Sequence, residues 1–343
     1  MRRGGGFHRH KFFEKIISLE NLFWAWREFK KGKLKKQDIA RFAAELEEEV
    51  FRLHTELANF SYKHGPYSHF VICDPKRRDV HKALPRDRLL HHAVFRVLEP
   101  VFEKGFVHDS FSSRKGKGIH KAHKRFHTLA WKLSRNNTRT VWTLKCDIRK
   151  FFNSVDHLIL IGILEKKLDR KTMDLLKEII GSFGKSSGKG IPIGNLTSQL
   201  FSNIYLNEFD QFVKRILRTK QYIRYADDFV VLSSEKDYLE KLLPPMKEFL
   251  GRRLALSIHS DKTIVRKWTQ GSDFLGHIIF PFHTLLRTKT KRRMLRKIAL
   301  RKKELVAGRI SGYSFSQSLQ SYLGMLKHCH GRGLHKKIRG ILL

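Results

Sequence analysis

Two adjacent aspartates inside an apolar run constrain this chain more than any other feature of its sequence. Tyr222 to Leu232 reads as two short strands meeting at a tight turn, and Tyr225-Ala226-Asp227-Asp228-Phe229-Val230-Val231-Leu232 sets the acids at the junction. Neighbouring carboxylates repel, so apolar surroundings tolerate them only with a compensating cation. Taken alone, an Asp-Asp pair can equally be a turn cap. A third acid shifts the balance. Leu144-Lys145-Cys146-Asp147 places Asp147 at the end of another apolar strand. Mg2+ prefers a few hard oxygen ligands plus substrate phosphate. Two such ions, about 4 Å apart, can activate a 3′-hydroxyl and stabilise a leaving pyrophosphate.

These acids stand against a basic background. Lys plus Arg number 70 and Asp plus Glu 32, a formal net charge of +38. That surplus disfavours a compact state unless a polyanion shares the load, and it predicts a strongly salt-dependent affinity for phosphates. The charge is spread along the whole chain, unlike that of a basic tail or a single membrane-surface helix. Hydrophobic residues make up 41% of the chain, which excludes a disordered basic arm. Cys73, Cys146 and Cys329 supply no disulfide framework and suit a reducing compartment. No run approaches a membrane span and no apolar signal region follows Met1, so the expected location is cytoplasmic, with no membrane partner.

Residues 1–10 are Gly-rich and basic, expected to settle only on RNA. Helical periodicity follows through Leu22, Trp26 and Phe29, then Ile39 to Leu53. Residues 67–84 read as a basic hairpin around Asp74-Pro75-Lys76-Arg77-Arg78, and helices are expected at 87–102 and 119–134. After the strand at 140–147 come helices near 156–168, 171–182 and 197–217, a loop at 184–190, and a helix at 235–252. Residues 253–268 and 273–280 read as extended, and 290–343 as basic helix. The order in 140–280 is α+β, helices on a small antiparallel sheet.

The motifs resemble those of reverse transcriptases. Tyr225-Ala226-Asp227-Asp228 looks like palm motif C, and Asp147 through Phe152 like motif A. The resemblance implies two Mg2+ ions, or Mn2+, at Asp147, Ile148, Asp227 and Asp228, with Tyr225 at the substrate. Phe152 falls at the steric-gate position, though either it or Phe151 could be a core aromatic. Ser260-Asp261-Lys262-Thr263 resembles motif D, whose lysine can protonate the leaving pyrophosphate; a solvated lysine on a strand edge is the plainer alternative. Phe274-Leu275-Gly276 resembles the primer-grip turn. Residues 86–91 and 111–122 resemble fingers motifs; elsewhere in the fingers, Lys76 and Arg78 either clamp the triphosphate or touch RNA backbone.

Residues 191–205 look like motif B, and here Ile193-Gly194 and Ser198-Gln199 stand where intron and retroviral enzymes usually carry Gln-Gly and Ser-Pro. That pattern resembles diversity-generating retroelement enzymes, which copy a template-repeat RNA and misincorporate opposite adenine. It makes Ile193, Ser198 and Gln199 candidate fidelity residues. Ala226 departs from the Met common in that group and is shared with intron-type enzymes. Gly184-Lys185-Ser186 is no P-loop, His328-Cys329-His330 with His335 fits no common zinc spacing, and no paired His and Cys of an endonuclease follow.

The expectation is therefore a right-hand polymerase of α+β class: N-terminal extension and helical fingers at 1–66, fingers at 67–139, a palm with a small antiparallel sheet at 140–282, and a basic helical thumb at 283–343. The function expected is copying of RNA into DNA in a diversity-generating retroelement, using template RNA, a DNA or RNA primer and dNTPs, with a small basic helical accessory oligomer sharing the RNA. The rivals are a group II intron-like or defence-associated reverse transcriptase and a non-catalytic RNA-binding scaffold.

Overall fold

The computed structural model describes residues 12–73, 76–184 and 187–342. The Gly-rich start, Asp74-Pro75 of the hairpin tip and Lys185-Ser186 of the loop lie outside the described residues. In chain order the elements are α1 Phe12–Ile17, α2 Leu19–Phe29, α3 Gln37–Ala44, α4 Leu46–Ala58, β1 Ser68–Ile72, β2 Arg78–Lys82, α5 Pro85–Glu103 and α6 Ile119–Leu133. Then follow β3 Trp142–Asp147, α7 Phe151–Ser154, α8 His157–Glu165, α9 Arg170–Gly181, α10 Leu196–Gln211, β4 Tyr222–Tyr225, β5 Asp228–Ser233 and α11 Lys236–Leu254. The chain continues with β6 Ile264–Lys267, β7 Ser272–Phe274, β8 His277–Ile279, β9 Thr284–Leu286, α12 Thr288–Val306, α13 Gly312–Leu326 and α14 Arg332–Leu342. No helix among the described residues is long and apolar enough to cross a membrane.

Two compact units result. The first takes residues up to 108, 148–212 and 247–257. Its α5 packs against α2 and α10, starting with Pro85 at a position that needs no N–H. Asp87 on its first turn is buried, and Tyr62 Oη (2.8 Å) and the Gly65 amide (3.2 Å) satisfy its carboxylate. Asp156 and Asp169 cap α8 and α9 by accepting the first free amides. The hairpin β1–β2 pairs antiparallel, as the short extended runs of 67–84 suggest, and the motif B loop docks on it: the His81 amide donates to the Ile193 carbonyl, 3.1 Å. Gly194 has φ +116°, and a side chain there would meet Val80 at 2.9 Å, so only glycine fits.

The second unit takes residues 109–147, 213–246 and 258–343. Its four-stranded antiparallel sheet has the order β4-β5-β3-β6. Phe126, Leu129 and Ala130 of α6 pack with Ile223, Val230, Leu232 and Trp268 in one core cluster. Strands β7-β8-β9 form a second sheet, and α12–α14 close on Leu286, Met294, Ile298, Leu326 and Ile338.

Residues 253–268 depart from the extended expectation. Ser260–Lys262 forms a 3-10 turn and only Ile264–Lys267 pairs as strand. Lys262 thus sits on a turn before β6, not on a strand edge. The expected 197–217 helix ends its α-helical part at Gln211 and passes into a π turn, Phe212–Ile216.

Candidate active site

Register decides how the three acids meet. In the β3–β5 ladder Asp147 lies directly opposite Asp228, where side chains stand roughly 5 Å apart and like charges are destabilising. Asp227 occupies the two-residue connection between Tyr225 and Asp228, which pair with each other. Its partner in that turn, Ala226, has φ +52°, an uncommon state for a residue with a Cβ. Burial, followed by the charges of Asp228 and Asp147, pushes the Asp227 carboxyl up to about 6, with Lys262 pulling the other way.

Two lysines answer this charge. Lys262 Nζ donates to Asp147 Oδ1 at 2.7 Å, so it is neither simply solvated nor free. Lys145 Nζ lies 3.7 Å from Asp228 Oδ1. Sequence reading passed over Lys145, although period-two alternation in β3 puts it on the face of Asp147. It also passed over Arg224, whose guanidinium is buried under the turn and donates to the Ala226 carbonyl at 3.1 Å and to Ser110 Oγ at 3.0 Å. An arginine in the strand Tyr-Ile-Arg-Tyr was the available signal.

Hard carboxylate oxygens that crowd one another suit a divalent cation, and the ammonium on Asp147 fills a cation's place. Among the described residues, however, no three His, Cys, Asp or Glu side chains converge as a ready ligand set. The same holds, among the described residues, for His328, Cys329, His330 and His335.

Tyr225 is half-buried, and burial raises its phenol pKa while a hydrogen bond with Ser112 opposes this. Phe274 is buried, its carbonyl 3.1 Å from His123 Nε2, and Leu275 and Gly276 form the tight β7–β8 turn with φ +50° and +84°. The remaining candidates belong to the first unit. Phe151 takes the core position beside Tyr205 and leaves Phe152 half-exposed. Ser198 is buried on the first turn of α10 while Gln199 is exposed and Ile193 half-buried. Lys76 and Arg78 are exposed on the hairpin. Ile148, next to Asp147, is buried.

A family model described as reverse transcriptase (RNA-dependent DNA polymerase) matches residues 76–279. The chain belongs to the reverse transcriptase family. It is 28% identical to Protein YkfC of Escherichia coli K12 over 281 residues, 69% of this chain and 72% of that protein. It is 23% identical to the group II intron-encoded protein LtrA of Lactococcus lactis over 306 residues, 68% of this chain and 50% of LtrA. The chain thus spans about half the length of LtrA. Its fold resembles apo telomerase from Candida tropicalis (TM-score 0.50, 13% identity, 72% of this chain, 54% of that one). A second telomerase structure, in complex with a TWJ fragment of telomeric RNA, has TM-score 0.50 and 12% identity, covering 69% of this chain and 49% of that one. This reverse transcriptase carries the α+β right-hand polymerase fold.

Proposed function

We propose that the chain polymerises DNA on an RNA template, with Asp147, Asp227 and Asp228 as the acidic centre. The observation that carries this reading is the cross-strand pairing of Asp147 with Asp228 beside Asp227, an arrangement that costs stability unless cations serve it. Two divalent ions, Mg2+ in the first instance or Mn2+, would be held by these carboxylates with the backbone of Ile148. When bound, they supply charge stabilisation at the attacking and leaving oxygens of nucleotidyl transfer. Lys262, its Nζ 2.7 Å from Asp147 Oδ1, serves as the donor to the leaving pyrophosphate. Half-exposed Phe152 excludes the ribose 2′-hydroxyl, Lys76 and Arg78 hold the triphosphate, Tyr225 contacts the substrate, and Phe274-Leu275-Gly276 grips the primer. On this reading fingers, palm and thumb follow the boundaries 67–139, 140–282 and 283–343, after an N-terminal extension to 66.

The telomerase neighbour bound to a fragment of telomeric RNA supports RNA as a partner, and copying it requires a primer and dNTPs. Within the family we assign the chain to diversity-generating retroelements, copying a template-repeat RNA with errors at adenine. What supports this is Gln199, exposed on the first turn of α10, where an amide replaces the proline of intron enzymes and tolerates a mispair. A small basic accessory oligomer then shares the RNA, and Cys73, Cys146 and Cys329, which form no disulfide among the described residues, fit a reducing cytoplasm. A group II intron-like role is the second reading, favoured by the LtrA similarity and by Ala226.

One experiment addresses both levels. Primer extension on a mixed-base RNA template, followed by sequencing of the cDNA, is expected to give DNA whose errors concentrate opposite adenine, and Gln199→Pro is expected to lower those errors most. No cDNA at all refutes the polymerase. A flat error spectrum leaves the polymerase standing and favours the intron-like role.

A further inference from the structure

One face of the second unit is aromatic, basic and unused by the acidic centre. On α6, His127 and Trp131 stand one turn apart with stacked rings, centroids 5.6 Å apart. Trp131 meets Phe282 edge-on at 5.6 Å, and Phe282 is 70% exposed. His127 lines two cavities. One, about 570 Å³, is lined by Trp131, Lys132 and Lys220 among others. The other, about 500 Å³, is lined by Phe282, Lys327 and Arg332 among others. No Asp or Glu lines either cavity. Arg125, at the edge, is engaged by Asp109 at 2.7 Å. Lys132, Lys220, Lys327 and Arg332 take part in no ion pair among the described residues.

We propose that this trough binds a single-stranded RNA segment, with phosphates on Lys132, Lys220, Lys327 and Arg332 and a base stacked on Phe282 and Trp131. Exposed aromatics among uncompensated cations are the pairing that sequence-tolerant strand binding uses, because every base has a stacking face. Cations alone would suit an acidic protein as well; the aromatic floor favours bases. Lys220 lies six residues before Ala226, with β4 between them, so about 20 Å of extended chain separates the trough from the acidic turn. Its occupant is therefore RNA outside the reacting pair, not the incoming nucleotide. The inference rests on the reading of this chain as an RNA-copying enzyme.

The test compares the full chain with a Phe282→Ala, Lys132→Ala, Lys220→Ala variant, using a single-stranded RNA oligonucleotide, poly-glutamate and a minimal template–primer. Expected are a tenfold or greater loss of oligonucleotide affinity and ultraviolet crosslinks to Trp131 or Phe282 in the parent. The slope of log affinity on log salt should fall by about 1.4, at about 0.7 for each of the two phosphates that the removed lysines neutralise. Extension of the minimal template–primer should stay within about twofold of the parent's. Phe282→Leu, which keeps bulk without a π face, is expected to lose part of the affinity even if the triple variant folds poorly. Unchanged affinity and slope overturn the proposal, as does a trough that takes poly-glutamate in preference to RNA. If the parent extends no primer but the variants still lose RNA affinity, the trough stands and the polymerase reading falls.

Discussion

Two hairpins of the second unit are built alike and carry different loads. Both β4–β5 and β7–β8 close through two residues, Ala226-Asp227 and Leu275-Gly276. In the second, both central residues have positive φ, the pattern that matches strand twist, with glycine at one of them. In the first, positive φ falls on Ala226 alone among its two central residues, and the next position holds a largely buried acid with a raised pKa. The β7–β8 turn is arranged for its own stability. The β4–β5 turn is held against its preference by Arg224 beneath it, the condition expected where backbone strain and like charges serve a site. The sharpest way to break this comparison is Asp227→Asn. DNA synthesis should fall by a thousandfold or more while RNA affinity stays near the parent's, because the carboxylate acts on the transition state and not on docking. A variant within tenfold of parental rate in primer extension removes the acidic centre as the seat of catalysis.

A smaller effect of opposite sign should accompany that loss. The Asp227 carboxyl is raised to about 6 in the folded chain, mainly by burial and then by Asp228 and Asp147. A carboxyl raised on folding resists ionisation, so the parent loses stability as pH rises through about 6, while below about 4 both states are protonated and nothing is lost. In chelator-treated protein, Asp227→Asn should therefore be more stable than the parent by about 3 kcal/mol at pH 8, with most of the difference gone by pH 4. Denaturant midpoints at the two pH values check it. Equal midpoints at pH 8 would show that Lys262 and Lys145 already neutralise the site.

The acids were legible in the sequence because polar residues inside apolar strands are conspicuous. Their arrangement was not, since pairing Asp147 with Asp228 is a matter of register, and register comes from the whole ladder. Lys145 and Arg224 escaped for the same reason: in a chain with 70 lysines and arginines a single one carries no signal until its neighbours are known. Lys262 was found but mislocated, because a 3-10 turn leaves little periodicity over three residues. The choice between Phe151 and Phe152 was open in the sequence, and Tyr205, some fifty positions on, places Phe151 inward. The basic hairpin and the long helices were readable because their patterns are local. The docking of residues 191–195 on β2 was not, although Gly194 marked a close approach.

The smallest effect probes the turns directly, by exchanging their glycine logic. Gly276 has φ +84°, and no neighbour lies closer than 4.0 Å to a side chain placed there, so Gly276→Ala tests backbone preference free of clash. It should cost about 1 kcal/mol, the penalty of a Cβ in the left-handed region. Ala226→Gly relieves the same penalty at φ +52° but gives the unfolded chain more freedom, leaving a net gain of about 0.5 kcal/mol. Arg224 keeps its acceptor in either case, because it binds the Ala226 carbonyl and not the side chain. Opposite signs in paired denaturant melts confirm that one turn is relaxed and the other strained. If both substitutions destabilise, Ala226 is content where it sits, and the strain assigned to the acidic hairpin must be sought in its carboxylates alone.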